Sequence, residues 1–205
     1  MRGLWILLIV SIIVSGVAAQ PNAEEKPRFG IAPNTDLYPQ TTPKAALESA
    51  IKLLENKRYD YFVAQILDPG VLEAKIRDRA ERLEAVVERD LLRKRDEQKA
   101  SPDSIPALEK LSIEPKEFAA AIAAEAQARS FKFVVKDLQA QLDEYPENLK
   151  LFRKFLAEGQ LAETGTTASY AHKDIPGKTL YLKNNGKRWF LEDKQVDEPK
   201  ATPDK

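Results

Sequence analysis

The C-terminal third of the chain alternates apolar and polar positions with period two. Residues 178–193, K-T-L-Y-L-K-N-N-G-K-R-W-F-L-E-D, form two such runs around Asn185-Gly186. Asn-Gly is the dipeptide that a two-residue type I′ hairpin favours, because both central residues need positive φ. The spacing then predicts Leu182 opposite Trp189, Leu180 opposite Leu191, Tyr181 opposite Phe190 and Lys183 opposite Arg188. One face of this ribbon is wholly apolar and the other is mixed. A third strand is expected over 163–172, E-T-G-T-T-A-S-Y-A-H, with Thr166, Ala168, Tyr170 and His172 on one face. So small a sheet is not stable alone and needs a helical cover.

The preceding chain changes period. Thr42-Pro43 is an N-cap followed by proline at the first helical position, and Ala46, Leu47, Ala50, Ile51 and Leu54 then make one apolar face. The segment 56–58 breaks this helix. A short second helix carries Tyr61, Phe62, Ile66 and Leu67 and ends at Asp68-Pro69-Gly70. From Val71 to about Lys99 a long charged helix holds a single stripe: Leu72, Ile76, Ala80, Leu83, Val87 and Leu91. That stripe has coiled-coil spacing, so the helix is read either as a solvated outer face or as a projecting helix that pairs with a partner helix, including a second copy in a homodimer. Acid-first pairs such as Asp78 with Arg82 and Asp90 with Lys94 lie one turn apart along it. A second long helix, 116–142, is Ala-rich at first and then carries Phe131, Val134, Val135 and Leu138. A last helix is expected to bury a face of Leu149, Leu151, Phe152, Phe155 and Leu156 and to stop at Gly159.

These periods together predict an α+β fold: a helical layer with long central helices, packed on one face of a small antiparallel meander of about three C-terminal strands. Residues 42–193 form a single domain, preceded by a Pro-rich flexible arm at 20–41 and followed by a disordered tail at 194–205. Residues 1–19 read as a secretory signal peptide. Arg2 is the basic start, 4–14 the apolar stretch, and Val17-Ala18-Ala19 the small residues before a cut at Gln20. The expected location is periplasmic or secreted. The alternative is an uncleaved N-terminal helix that anchors the chain, since the apolar stretch is close to spanning length.

Charge narrows the partners. Lys plus Arg and Asp plus Glu are equal at 32 each, so there is no electrostatic case for a nucleic-acid partner. The chain has no cysteine, which removes disulfides, thiolate metal sites and cysteine nucleophiles. With one histidine and no D-x-D-x-D-G loop, no metal site or cofactor is predicted.

His172 is the weak catalytic candidate, a general base by side-chain chemistry with Asp174 two residues on. Tyr170, His172, Leu182, Trp189 and Leu191 are the candidate ligand-binding residues. They line the covered sheet face, and form either core or the wall of an apolar pocket with Tyr170 and His172 as its polar handles.

The Thr-Pro helix with A-A-L-E-S-A-I, the K-R-Y-D-Y-F break, the G-T-T-A-S-Y strand and the G-K-R-W-F-L-E-D strand resemble the nuclear transport factor 2-like superfamily. The likeness is to its exported bacterial members of unassigned function and covers roughly a quarter of the chain. It implies a helical layer over a curved antiparallel sheet with a ligand cone between them. The expected role is a non-catalytic binding or interaction domain for a small apolar ligand or a protein. The alternative is an isomerase or dehydratase-like enzyme working in the cone.

Overall fold

The computed structural model describes residues 26–99 and 115–192. The segment expected to be a signal peptide and the tail expected to be disordered lie outside the described residues. The elements run α1 (Pro43–Glu55), α2 (Tyr59–Tyr61), a π-helical turn (Phe62–Ile66), α3 (Pro69–Lys99), α4 (Pro115–Glu144), α5 (Glu147–Glu158), β1 (Gln160–Thr164), β2 (Thr167–Ala171), β3 (Thr179–Asn184) and β4 (Trp189–Leu191). This is an α+β fold, with helices packed on an antiparallel sheet of order β1-β2-β3-β4. No described helix is long and apolar enough to cross a membrane.

Local chemistry accounts for the helix ends. The Thr42 hydroxyl accepts from the Ala45 N–H at 3.1 Å, as its N-cap position requires. α1 closes with Lys57 at φ +55, the Lys57 N–H bonding Leu54 O and the Arg58 N–H bonding Leu53 O at 2.9 Å. That is the Schellman pattern with lysine in the place usually taken by glycine. Asp68 caps α3 by accepting the Gly70 N–H at 2.9 Å. Gly159 ends α5 with an extended φ of −68, not a left-handed one. Glycine is required there for room, since a Cβ would lie 2.3 Å from the Phe155 carbonyl oxygen.

The sheet differs from expectation in two places. The single strand expected over 163–172 is a hairpin, β1 and β2, reversed at Gly165 with φ +59, so the meander has four strands. Positive φ at the first central residue alone is what a glycine-first type II′ reversal uses. The alternation of Thr166, Ala168, Tyr170 and His172 begins at the turn itself, so Glu163 and Thr164 before it read as a continuation of the same strand.

The β3–β4 reversal is also displaced. Leu182 pairs with Leu191, Lys183 with Phe190 and Asn184 with Trp189. Asn185-Gly186 is therefore not a two-residue type I′ turn but the first half of a four-residue loop. Positive φ occurs only at Gly186, at +91, and Asn185 Oδ1 accepts the N–H groups of Lys187 and Arg188 at 3.0 Å each. The physical reason lies in the charges. The tight turn would set Lys183 directly opposite Arg188, a destabilising cross-strand pair. In the longer loop Arg188 turns inward and Lys183 faces a phenyl ring. Because the pairing slips by two residues, Leu180, Leu182, Trp189 and Leu191 stay on the same face.

The outer edge of β4 is covered. Its Trp189 N–H donates to Gln40 O at 2.9 Å, and the Asp68 N–H donates to Leu191 O at 2.8 Å. β1 is exposed along its whole length. The arm expected to be flexible over 20–41 is corrected for its described part: Tyr38 and Gln40 are buried, and Phe29 and Ile31 pack against the main core. The prolines keep this segment out of helix and strand but do not prevent burial, and Tyr38 anchors it.

α3 and α4 form an antiparallel pair. Arg79 bonds Asp137 at 2.8 Å, and further along Arg129 bonds Asp90 at 2.6 Å. The stripe on α3 that could have served a partner helix is taken up within the chain. Leu72 and Ile76 enter the main core, while Ala80 and Val87, with Leu83 and Leu91 beside them, meet Ala126 and Ile122 of α4 in a smaller cluster. Asp90 thus binds across the helix pair and not to Lys94. The Arg129 guanidinium holds the Asp90 carboxyl below its ordinary range, first by the hydrogen bond. A group with a lowered folded pKa contributes stability above its unfolded value and loses it as pH falls through the folded one. Asp90→Asn is therefore expected to lower the urea midpoint at pH 7, and the gap from wild type should narrow below about pH 4, the unfolded carboxylate range. Equal gaps at pH 7 and pH 3 would contradict this.

Candidate functional site

Three groups of side chains on this frame have chemistry to offer. The first is an open groove of about 710 Å³ between α4, the start of the described chain and Asp60 of α2. Its floor follows from the sequence of α4. Ala124, Ala128, Phe131 and Val135 recur at four- and three-residue steps, which puts them in one row. The opposite side of the helix, with Ala126 and Ile122, is spent on α3. Small residues keep the row shallow at one end, and Phe131 raises its wall at the other.

The second wall is Phe29, presented by a tight reversal. The N–H groups and carbonyls of Arg28 and Ile31 bond reciprocally at 3.0 and 2.9 Å, with Phe29 at φ +52 and Gly30 at φ +78. Positive φ at both central residues is the type I′ arrangement. Glycine adopts it without penalty, whereas a phenylalanine there is strained by about 1–2 kcal/mol. Two contacts hold the strained turn. The Phe29 ring stacks on Phe131 with centroids 4.8 Å apart and planes 11° apart, and Gln65 Nε2 donates to Ile31 O at 2.7 Å. The rim is polar, formed by Asp60, Gln127, Arg129, Lys132 and Lys136. Asp60 is engaged by Arg58 at 3.4 Å, and Arg129 by both Asp90 and Glu125.

The second group is a buried amide cage. Arg188, only 6 % exposed, donates from Nη1 to Gln40 Oε1 at 3.1 Å, and from Nη1 and Nη2 to Gln65 Oε1 at 3.3 Å. Gln40 Nε2 in turn donates to Gln65 O and Trp189 O at 3.0 and 2.7 Å. The π-helical turn is what aims Gln65 here, since its i+5 bond from the Leu67 N–H to Phe62 O admits one extra residue. The cage ties the arm, the π turn and β4 together.

The third group surrounds His172. Ligand atoms of Glu158, His172 and Asp174 lie within 4.8 Å of one another. The Asp174 N–H donates to His172 Nδ1 at 3.1 Å, so in the neutral ring the proton sits on Nε2. Nε2 faces Glu158 Oε2 at 3.4 Å, and the ring meets Phe155 edge-on at 6.4 Å. In that tautomer the one available lone pair, on Nδ1, is engaged by the Asp174 N–H. The same bond occupies the nitrogen that a general base would use.

The residues singled out from sequence, Tyr170, His172, Leu182, Trp189 and Leu191, are all buried. They are brought together on the covered sheet face, and all but His172 belong to the main core cluster. None of them lines the 710 Å³ groove; Leu191 borders a separate recess of about 40 Å³ with Val71, Leu72 and Val134. Burial pushes the Tyr170 phenol up, and Glu48 and Glu163 add to it, so it stays protonated. The groove was missed because its halves are about a hundred residues apart in sequence, and nothing local in Phe29-Gly30 or in the 124/128/131/135 row names the other. Phe-Gly in a proline-flanked segment was the one available signal, a turn with an aromatic tip.

No family model, curated protein or solved structure matches the chain.

Proposed function

We propose that the chain is a non-catalytic binding domain, acting outside the cytoplasm after export, and that its ligand lies in the groove between Phe29 and α4. The observation that carries the reading is the strained Phe29 turn. A bulky residue in left-handed backbone is retained where its side chain has a task, and such strain clusters at ligand clamps. Here the ring closes one wall of an apolar concavity within the range of about 300–1,000 Å³ usual for small-molecule sites. The proposed ligand position differs from the sheet-and-helix cone that the sequence resemblance implies. The isomerase or dehydratase reading is less favoured, because His172 has its Nδ1 engaged and Phe155 against its ring. Kinship with the nuclear transport factor 2-like superfamily remains part of the proposal, supported by the Thr-capped α1 packed against β4. Export rests on the leader-like residues 1–19.

A thermal-shift screen of amphipathic compounds on wild type and Phe29→Asn tests the site. Asparagine tolerates the left-handed conformation, so the turn is kept while the ring is lost. A ligand at about 100 times its Kd should stabilise wild type by about 2.7 kcal/mol. The stabilisation should be absent in Phe29→Asn, and an equal shift in both proteins would remove the groove from consideration.

A further inference from the structure

Resting on that reading, we infer that the groove selects an amphipathic anion: an apolar chain or ring system ending in a carboxylate or similar acidic group. The floor alone would accept any greasy molecule, and the rim decides among them. Of its charged residues, Asp60 is neutralised by Arg58, and Arg129 is held between Asp90 and Glu125. Lys132 and Lys136 remain. Both are exposed, and neither makes an ion pair among the described residues. They stand four residues apart on α4, so their ammonium groups share one side of the helix and repel each other. An acidic group between them would relieve that repulsion and gain charge-assisted hydrogen bonds.

The apolar part has a defined place as well. Ala124, Ala128, Phe131 and Val135 run along α4 beside the two lysines, and the stacked Phe29–Phe131 pair blocks one side. A headgroup held by Lys132 and Lys136 therefore leaves its tail lying over the alanines. The lysine stems extend the apolar surface while their charged ends stay in water. An uncharged ligand of the same shape would gain the floor but not the rim.

The probe is 11-(dansylamino)undecanoate, compared with its uncharged methyl ester, titrated against the 205-residue chain by dansyl fluorescence. The acid is expected to bind about tenfold more tightly than the ester, the effect of one charge-assisted contact. Lys132→Gln/Lys136→Gln should erase that difference, bringing the affinity for the acid down to that for the ester. Ala128→Trp, an exposed position where a large ring fills the floor without disturbing the core, should abolish binding of both. If acid and ester bind wild type equally, or the preference persists without the lysines, anion selection is overturned while the groove stands. Should neither probe bind, or should both bind Ala128→Trp as well as wild type, the groove reading falls and the inference with it.

Discussion

Arg188→Ala is expected to destabilise the protein by about 3–5 kcal/mol, the largest loss for any single polar side chain described here. Two buried amide oxygens, Gln40 Oε1 and Gln65 Oε1, lose the donor that faces them. Each orphaned acceptor costs about 1–3 kcal/mol, because water cannot reach it. The guanidinium also lies 5.1 Å from the centroid of the buried Phe190 ring, so its removal opens space as well. Arg188→Lys should recover only part of the loss. A single ammonium keeps the charge but cannot fork between two amides. Arg153→Ala is the control: that arginine bonds Glu55 at 2.7 Å at the surface, and such exposed pairs contribute about 0–1 kcal/mol. Urea unfolding followed by the fluorescence of Trp189 reads all three. A midpoint for Arg188→Ala within error of Arg153→Ala would mean that the cage does not hold the arm to the sheet.

Leu182→Ala should cost about 2–5 kcal/mol, and its coupling pattern checks the strand register. Leu182 is fully buried, with Ala168 opposite on one side and Leu191 on the other. A large-to-small change loses both transfer energy and the packing around the cavity it leaves. Double-mutant cycles should give an interaction of about 0.5–3 kcal/mol between Leu182 and Leu191, larger than that between Leu182 and Trp189. The reverse order would restore the tight Asn-Gly turn and its pairing of Leu182 with Trp189.

What could be read from the sequence was what local chemistry decides. The Thr42 cap, the proline start of α1, and the face shared by Leu182, Trp189 and Leu191 all follow from short-range patterns. So does the α+β layering. The strand register was not legible, because the preference of Asn185-Gly186 for a tight turn competed with burial of Arg188, and only the tertiary cage shows that burial wins. The β1–β2 reversal at Gly165 was hidden by the alternation that starts immediately after it. The α3 stripe was visible, but a periodic face does not say whether its partner is in the same chain; Ala126 and Ile122 supply that answer. The candidate site was the least legible part. The residues chosen from sequence were apolar strand positions, which are core as readily as they are pocket, whereas the groove depends on a strained turn meeting a distant helix.

The π-helical turn at Phe62–Ile66 has a consequence for how this chain tolerates change in length. One residue more than an α-helical turn is accommodated there, and all five side chains are buried. Removing one would restore ordinary winding and re-space the buried side chains within the turn. Gln65 would then swing away from Arg188 and Ile31, and the wall carrying Phe29 would lose one of its two moorings. A single-residue deletion in this turn, which contributes no residue to the groove lining, would thus loosen the ligand wall from behind while every lining residue is retained.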